Sequence, residues 1–265
     1  MHLLFAEVGR KMQERVNSLK AAVLAGRAHI GIWCSLASAL TTEVVAGSGA
    51  GWLLVDGEHS PNDLRSIMAQ LQVAAAFPCE AVVRLPSDDA NLMKQALDVG
   101  ARSLMIPNVR TADQARSIVA AMTYAPGGFR GFSVGHRANA FGRIAGYHAK
   151  AREQQLLAVQ IEDETGVANA FEIAAVDGVD VLFVGPGDLS TNMGAMGNPG
   201  AAHVQQAISS VRKAAASAGK ASGILAPVKA DADRYLADGF TMVAVGSDLG
   251  LLARGSDALI ASFNQ

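Results

Sequence analysis

The sequence predicts one (β/α)8 barrel, an α/β fold, as a single domain over residues 1–265, and three observations carry it. Eight short apolar runs recur along the chain, and longer segments of helical periodicity alternate with them. No break in composition divides the chain into halves. The chemically reactive side chains fall just after the runs and seldom just before them. Repeated strand–helix units in about 240 residues suit this barrel, whose functional groups gather at the C-terminal strand ends.

The runs are residues 29–33, 52–55, 81–85, 103–106, 156–161, 181–184, 222–225 and 242–245. Most are continuously apolar, as expected of parallel strands covered on both faces. Between them, Leu64, Ile67, Met68 and Leu71 follow Pro61 at helical spacing, which predicts a helix starting at the proline. Thr111 and Gln114 have the spacing of a capping box. Ser87 or a nearby aspartate can cap a helix that Gly100 ends. Further helical patterns follow Glu164, Pro199, Lys229 and Ser247. An extra N-terminal helix over residues 8–24 would cover one barrel end. Residues 124–154 form one long irregular connection rich in Gly, Arg and His, and such length is often functional. A doubly wound open sheet is the alternative, weakened because no G-x-G-x-x-G turn follows the first run.

Composition narrows the function. Hydrophobic residues make up 50% of the chain and charged residues 17%, enough for a core and unlike a disordered chain. With a net charge of -2 and no basic block, nucleic acid and membrane surfaces are poor partners. The apolar patch at residues 3–5 is far too short for a signal peptide, and no run approaches the roughly 20 residues of a membrane span. Two cysteines, Cys34 and Cys79, give no disulfide framework, so a cytoplasmic setting is the expectation.

The strand ends then present their chemistry in turn. The second gives Asp56-Gly57-Glu58-His59, the third Arg84, the fifth Gln160 and Glu162, the sixth Gly185-Pro186-Gly187-Asp188, and the eighth Gly246-Ser247-Asp248. Glu162 and Asp188 are the best metal pair, since paired carboxylates suit an oxygen-preferring divalent cation. The competing reading is that each caps a helix. His59 is the best general base, with Asp56 or Glu58 to raise its basicity; taken alone, it reads more readily as a solvated loop histidine. Arg84 ends a buried strand and so needs an anion, either a substrate or Asp56 or Glu58. In the long connection, Arg130, His136 and Arg137 are candidates for a distal substrate carboxylate.

These residues carry a resemblance. WLLVDGEHSPND, VVRLP, LDVGARSLMIPNVRTADQA, YAPGGFRG, VQIE and VGPGDLSTNMG occur in this order and resemble the HpcH/HpaI aldolase family, from Gly31 to Gly250. The resemblance implies a metal-dependent class II pyruvate aldolase on a (β/α)8 barrel, using Mg2+, Mn2+ or Co2+. It makes His59 the base, Arg84 the enolate stabiliser, and Glu162 and Asp188 the metal ligands. Gln160 becomes a substrate contact. Gly187 stands where many members have alanine, with its N–H on the keto acid. Asp98 in LDVG matches an aspartate that supports the histidine, although it ends a helix at the other end of the barrel, so a neighbouring subunit would have to supply it. A homohexamer exchanging its C-terminal helix, here residues 248–263, is also implied. The expected reaction is reversible cleavage of a 4-hydroxy-2-oxo acid to pyruvate and an aldehyde. A lyase for CoA thioesters and a non-catalytic scaffold barrel are the alternatives.

Overall fold

The computed structural model describes residues 15–263. Eight parallel strands close in sequence order into a barrel: β1 (His29–Cys34), β2 (Trp52–Asp56), β3 (Glu80–Arg84), β4 (Ser103–Ile106), β5 (Leu156–Ile161), β6 (Val181–Val184), β7 (Ala221–Leu225) and β8 (Met242–Ser247). Closure pairs His29 with Met242, which removes the open-sheet alternative. All eight predicted runs are strands.

Helices α1 (Ser18–Leu24), α2 (Ala39–Ala46), α3 (Leu64–Ala74), α4 (Ala90–Asp98), α5 (Ala112–Met122), α6 (Tyr147–Lys150), α7 (Glu164–Ala168) and α8 (Ala170–Ala174) accompany the first half of the barrel and the entry to the second. The rest are α9 (Pro186–Asn192), α10 (Ala202–Ser217), α11 (Lys229–Ala237) and α12 (Asp248–Ala261). Helix α3 begins three residues after Pro61, because Asp63 takes the Ser66 N–H and Ser66 returns a bond to the cap. Thr111 caps α5, while Gln114 reaches back to the Arg110 N–H. Asp89 caps α4, and Gly100 follows its end at φ +106°.

Two apolar layers result. Outward-facing strand residues such as Val83, Leu104, Val159 and Val243 pack on the helices. Inward-facing Trp52, Leu54, Val82, Met105 and Phe183 fill the barrel. Trp33, Trp52 and Phe183 make edge or tilted contacts at 5.8–6.4 Å between ring centres. The Trp52 ring lies where a side chain at Gly31 would stand, 2.1 Å from an added Cβ, so the first strand needs glycine there.

Helix α1 closes the N-terminal end, called the base here. Leu19 and Val23 join the inner core. Asn17 donates to Ser103, Ser18 to Glu80 and Lys20 to the Gln155 carbonyl. Of the helix predicted over residues 8–24, Ser18–Leu24 is helical and residues 15–17 are not, and residues 8–14 lie outside the described part. The long connection leaves α5 and returns to the start of β5, so it also lies at the base. Helix α12 buries only Asp248, and it leaves Leu251, Leu252, Leu259 and Ile260 exposed.

Candidate active site

The opposite end, the mouth, is built from residues at the C-terminal strand ends. Asp56 and Arg84 are register partners on β2 and β3. Arg84 donates from Nε and Nη2 to the two Asp56 oxygens at 2.9 and 2.7 Å, and from Nη1 to Glu58 at 2.7 Å. This bidentate geometry fixes the guanidinium, which also lies 5.4 Å from the Trp33 ring centre. Burial would raise the Asp56 carboxyl. Arg84 and the N–H groups of Glu58 and His59 outweigh it and hold the carboxyl below its ordinary value. Burial pushes Glu58 up despite Arg84 and His59.

His59 is mostly exposed, and its Nε2 lies 3.9 Å from Glu58 Oε2. The ring's near carboxylate is therefore Glu58. From His59, Asp56, also expected as a support for that ring, accepts only the backbone N–H at 3.3 Å, and its oxygens otherwise take Arg84, the Glu58 N–H and the Ser60 hydroxyl. Nothing in the sequence separates these two roles, because both acids lie within three residues of the histidine.

Just after β5, Glu162 is 3% exposed. One oxygen accepts the Asn108 N–H at 2.8 Å, and the other lies 3.3 Å from Gln160 Nε2. Burial, reinforced by Asp188 and Glu58, pushes its carboxyl up to about 7 against the Asn108 bond. Gln160 Oε1 is buried with no partner among the described residues. An added Cβ at Gly185 would lie 2.5 Å from Glu162, so this glycine lets β6 approach the carboxylate. Sequence reasoning gave Gly185 no such role; its place in VGPGD was the available signal. Asp188 stands exposed in the first turn of α9, and Gly187 beside it has open space at its Cβ position.

One expectation holds and one changes. Asp98 ends α4 at the base, where Arg130 meets it at 2.6 Å and His136 at 3.9 Å, so within one chain it does not reach His59. Arg130, His136 and Arg137 lie at the base as well, away from any substrate bound at the mouth of their own chain. Asp248, left without a role by the sequence, is a brace. It is buried and accepts from the Ser35, Leu36 and Leu249 N–H groups and from Thr41 Oγ1, tying β8 to the loop after β1.

The HpcH/HpaI aldolase/citrate lyase model matches residues 29–255. The chain belongs to this family. A 4-hydroxy-2-oxovalerate aldolase of Rhodococcus jostii is 48% identical over 96% of this chain and 98% of its own. A 5-keto-4-deoxy-D-glucarate aldolase of Klebsiella pneumoniae is 44% identical over 94% and 97%. A family member of solved structure from Burkholderia cenocepacia superposes with a TM-score of 0.91 at 37% identity, covering 94% of this chain and 100% of that one. The protein is an aldolase, a carbon–carbon lyase. A non-catalytic scaffold barrel does not fit these relatives. Among the described residues no helix is long and apolar enough to cross a membrane.

Proposed function

We propose that the chain catalyses reversible retro-aldol cleavage of a 4-hydroxy-2-oxo acid to pyruvate and an aldehyde, with a divalent metal such as Mg2+, Mn2+ or Co2+. The relatives' names support the reaction class. The observation that carries the metal reading is Glu162: a buried carboxylate raised to about 7 beside Asp188, with the orphaned Gln160 oxygen near it. An all-oxygen donor set of this kind fits a hard cation. Among the described residues no group of three or more His, Cys, Asp or Glu side chains is arranged as a metal cluster, so Glu162 and Asp188 would hold the ion and substrate and water would complete its shell. When bound, the metal supplies Lewis-acid polarisation of the 2-keto group.

The chain's own residues do the rest. Gln160 and the Gly187 N–H orient the keto acid. His59, exposed to the incoming substrate, accepts the 4-hydroxyl proton, and Glu58 stabilises the resulting imidazolium. The C3–C4 bond breaks, the aldehyde leaves, and the electron pair passes into the pyruvate enolate. Arg84 stabilises the enolate oxygen from a position already fixed by Asp56 and Glu58. A proton added at C3 then releases pyruvate.

In this reading Asp98 supports His59 only from a neighbouring subunit of a homohexamer. The exposed apolar row of α12 supports such an assembly. A cytoplasmic setting also belongs to this reading. The test is pyruvate release from 4-hydroxy-2-oxo acids before and after EDTA. Activity should disappear and return with Mg2+, Mn2+ or Co2+; full activity in EDTA defeats the metal assignment.

A further inference from the structure

A cleft of about 530 Å3 lies at the base and flank of the barrel, between the ends of α3 and α4 and the turn around residues 137–144. That volume is within the range of small-molecule sites. Its charged lining is Arg15, Arg102, Arg137 and Arg143 against a single acid, Glu80. Glu80 is taken by Arg102 at 2.6 Å. The other three guanidiniums have no carboxylate partner among the described residues.

Helix ends explain part of this. Arg137 donates to the Val99 carbonyl at 2.8 Å and Arg15 to Ala75 at 3.3 Å, and cations are favoured at helix C-termini. Each such bond uses one of five N–H donors. Arg143 caps no helix of the cleft: it donates to Ala140 in its own turn and lies 6.0 Å from the Phe141 ring centre. Three excess positive charges in one concave surface repel each other and attract an anion. Arg137 is also partly desolvated, which lowers its guanidinium from the ordinary value.

The turn that presents these groups is held in place. His136 and Asn139 bond reciprocally, side chain to backbone, and Asn139 also spans Val134 and Gly142. Ala140 and Phe141 both adopt left-handed backbone conformations, at φ 53° and 58°, uncommon for side-chain-bearing residues. Phe141 and Ile144 add apolar surface beside the guanidiniums.

We propose that this cleft binds a small amphipathic anion, an apolar body bearing a carboxylate or a phosphate, at the opposite end of the barrel from the mouth of its own chain. Arginines take the anionic group, as their fork geometry suits both chemistries, and Phe141 and Ile144 take the body. The inference does not depend on the reaction at the mouth.

Isothermal titration calorimetry on the full chain tests it, with phenyl phosphate and benzoate as separate probes and benzyl alcohol as the uncharged control. At least one anion should bind saturably, one per chain, and benzyl alcohol should not. Comparing the two anions identifies the preferred group. Arg143→Gln, an exposed change that leaves the fold intact, should weaken binding about tenfold. The double variant Arg137→Gln, Arg143→Gln should weaken it further, and Arg143→Gln should retain the wild-type cleavage rate. Saturation by neither anion, equal affinity in wild type and Arg143→Gln, or displacement by pyruvate with Mg2+ would each overturn the proposal.

Discussion

At the base of the barrel each buried or half-buried acid has its own cation. Glu80 meets Arg102 at 2.6 Å, Asp180 meets Lys20 at 3.3 Å, and Asp98 meets Arg130 at 2.6 Å. At the mouth, Asp56 and Glu58 share one buried guanidinium, Arg84, while Glu162 and Asp188 have no ion-pair partner among the described residues, and Glu162 is pushed up to about 7. The same residue types thus serve two ends differently. Charges at the base are matched within the chain and hold α1, the strand starts and the long connection together. Charges at the mouth are left in negative excess, which only a cation or a proton can relieve. Unmatched charge marks a ligand site better than charge itself, and among the described residues of the base the arginine cleft is where the balance tips the other way.

The largest effect should come from removing the buried cation that Asp56 and Glu58 hold at the mouth. Arg84→Ala should lower kcat by about 10²–10³-fold, the scale for losing one preorganised group on a developing oxyanion. Arg84→Lys should recover only part of it, because an ammonium cannot reproduce the fork to Asp56. Steady-state pyruvate release measures both. A wild-type rate in Arg84→Ala would show that Arg84 is only a structural partner of Asp56, like the pairs at the base.

A pH titration of stability tests the unmatched acid directly. Glu162 has its folded-state pKa raised from 4.5 to about 7. Between these values the folded state holds more protons than the unfolded one, so this group's contribution makes stability fall as pH rises. The full loss is about 3 kcal/mol, from the size of the shift. In metal-free protein, Glu162→Gln should flatten that slope between pH 4.5 and 7, as read from denaturant midpoints. Added Mg2+ or Mn2+ should stabilise the wild type more as pH rises through the same window and should do little for the variant. An unchanged slope in Glu162→Gln would place the strain elsewhere.

How much of this was legible in the sequence follows the same division. Strand runs declared themselves by continuous apolar residues, and the position of a group after a strand located Asp56, Arg84, Glu162 and Asp188 at the mouth. The helix at α9 was half legible: Asp188 was open to reading as a helix cap, but the helix already starts at Pro186 and Asp188 lies inside its first turn. Helix α3 starts at Leu64, behind its cap Asp63, and not at Pro61, because the capping aspartate outranks the proline. Arg130, His136 and Arg137 were assigned by residue type, while their place after a helix and before β5 already put them at the base. The partition of Asp56 to Arg84 and Glu58 to His59 depends on side-chain direction within a four-residue turn, which no spacing rule encodes.

A charge removed at the base should act on stability alone. Glu80→Gln leaves Arg102 without its carboxylate and weakens the acceptor for Ser18. The expected cost is about 2 kcal/mol in denaturant unfolding, on the scale of a lost charged hydrogen bond, with kcat per folded molecule unchanged. A fall in kcat at constant stability would mean that the two ends are coupled, and the contrast drawn between them would fail.

The smallest effect should come from Gly187. Its Cβ position meets nothing within 4 Å, whereas Gly185, two residues earlier, would place a Cβ 2.5 Å from Glu162. Gly187→Ala should therefore change stability by less than about 0.5 kcal/mol and leave metal affinity intact. KM should move by a few-fold at most, because the backbone N–H offered to the keto acid is retained. Gly185→Ala should displace the Glu162 carboxylate and weaken metal binding clearly. Metal titrations of both variants separate the cases. Equal losses would mean that α9, rather than the carboxylate at the end of β5, sets the geometry of the mouth.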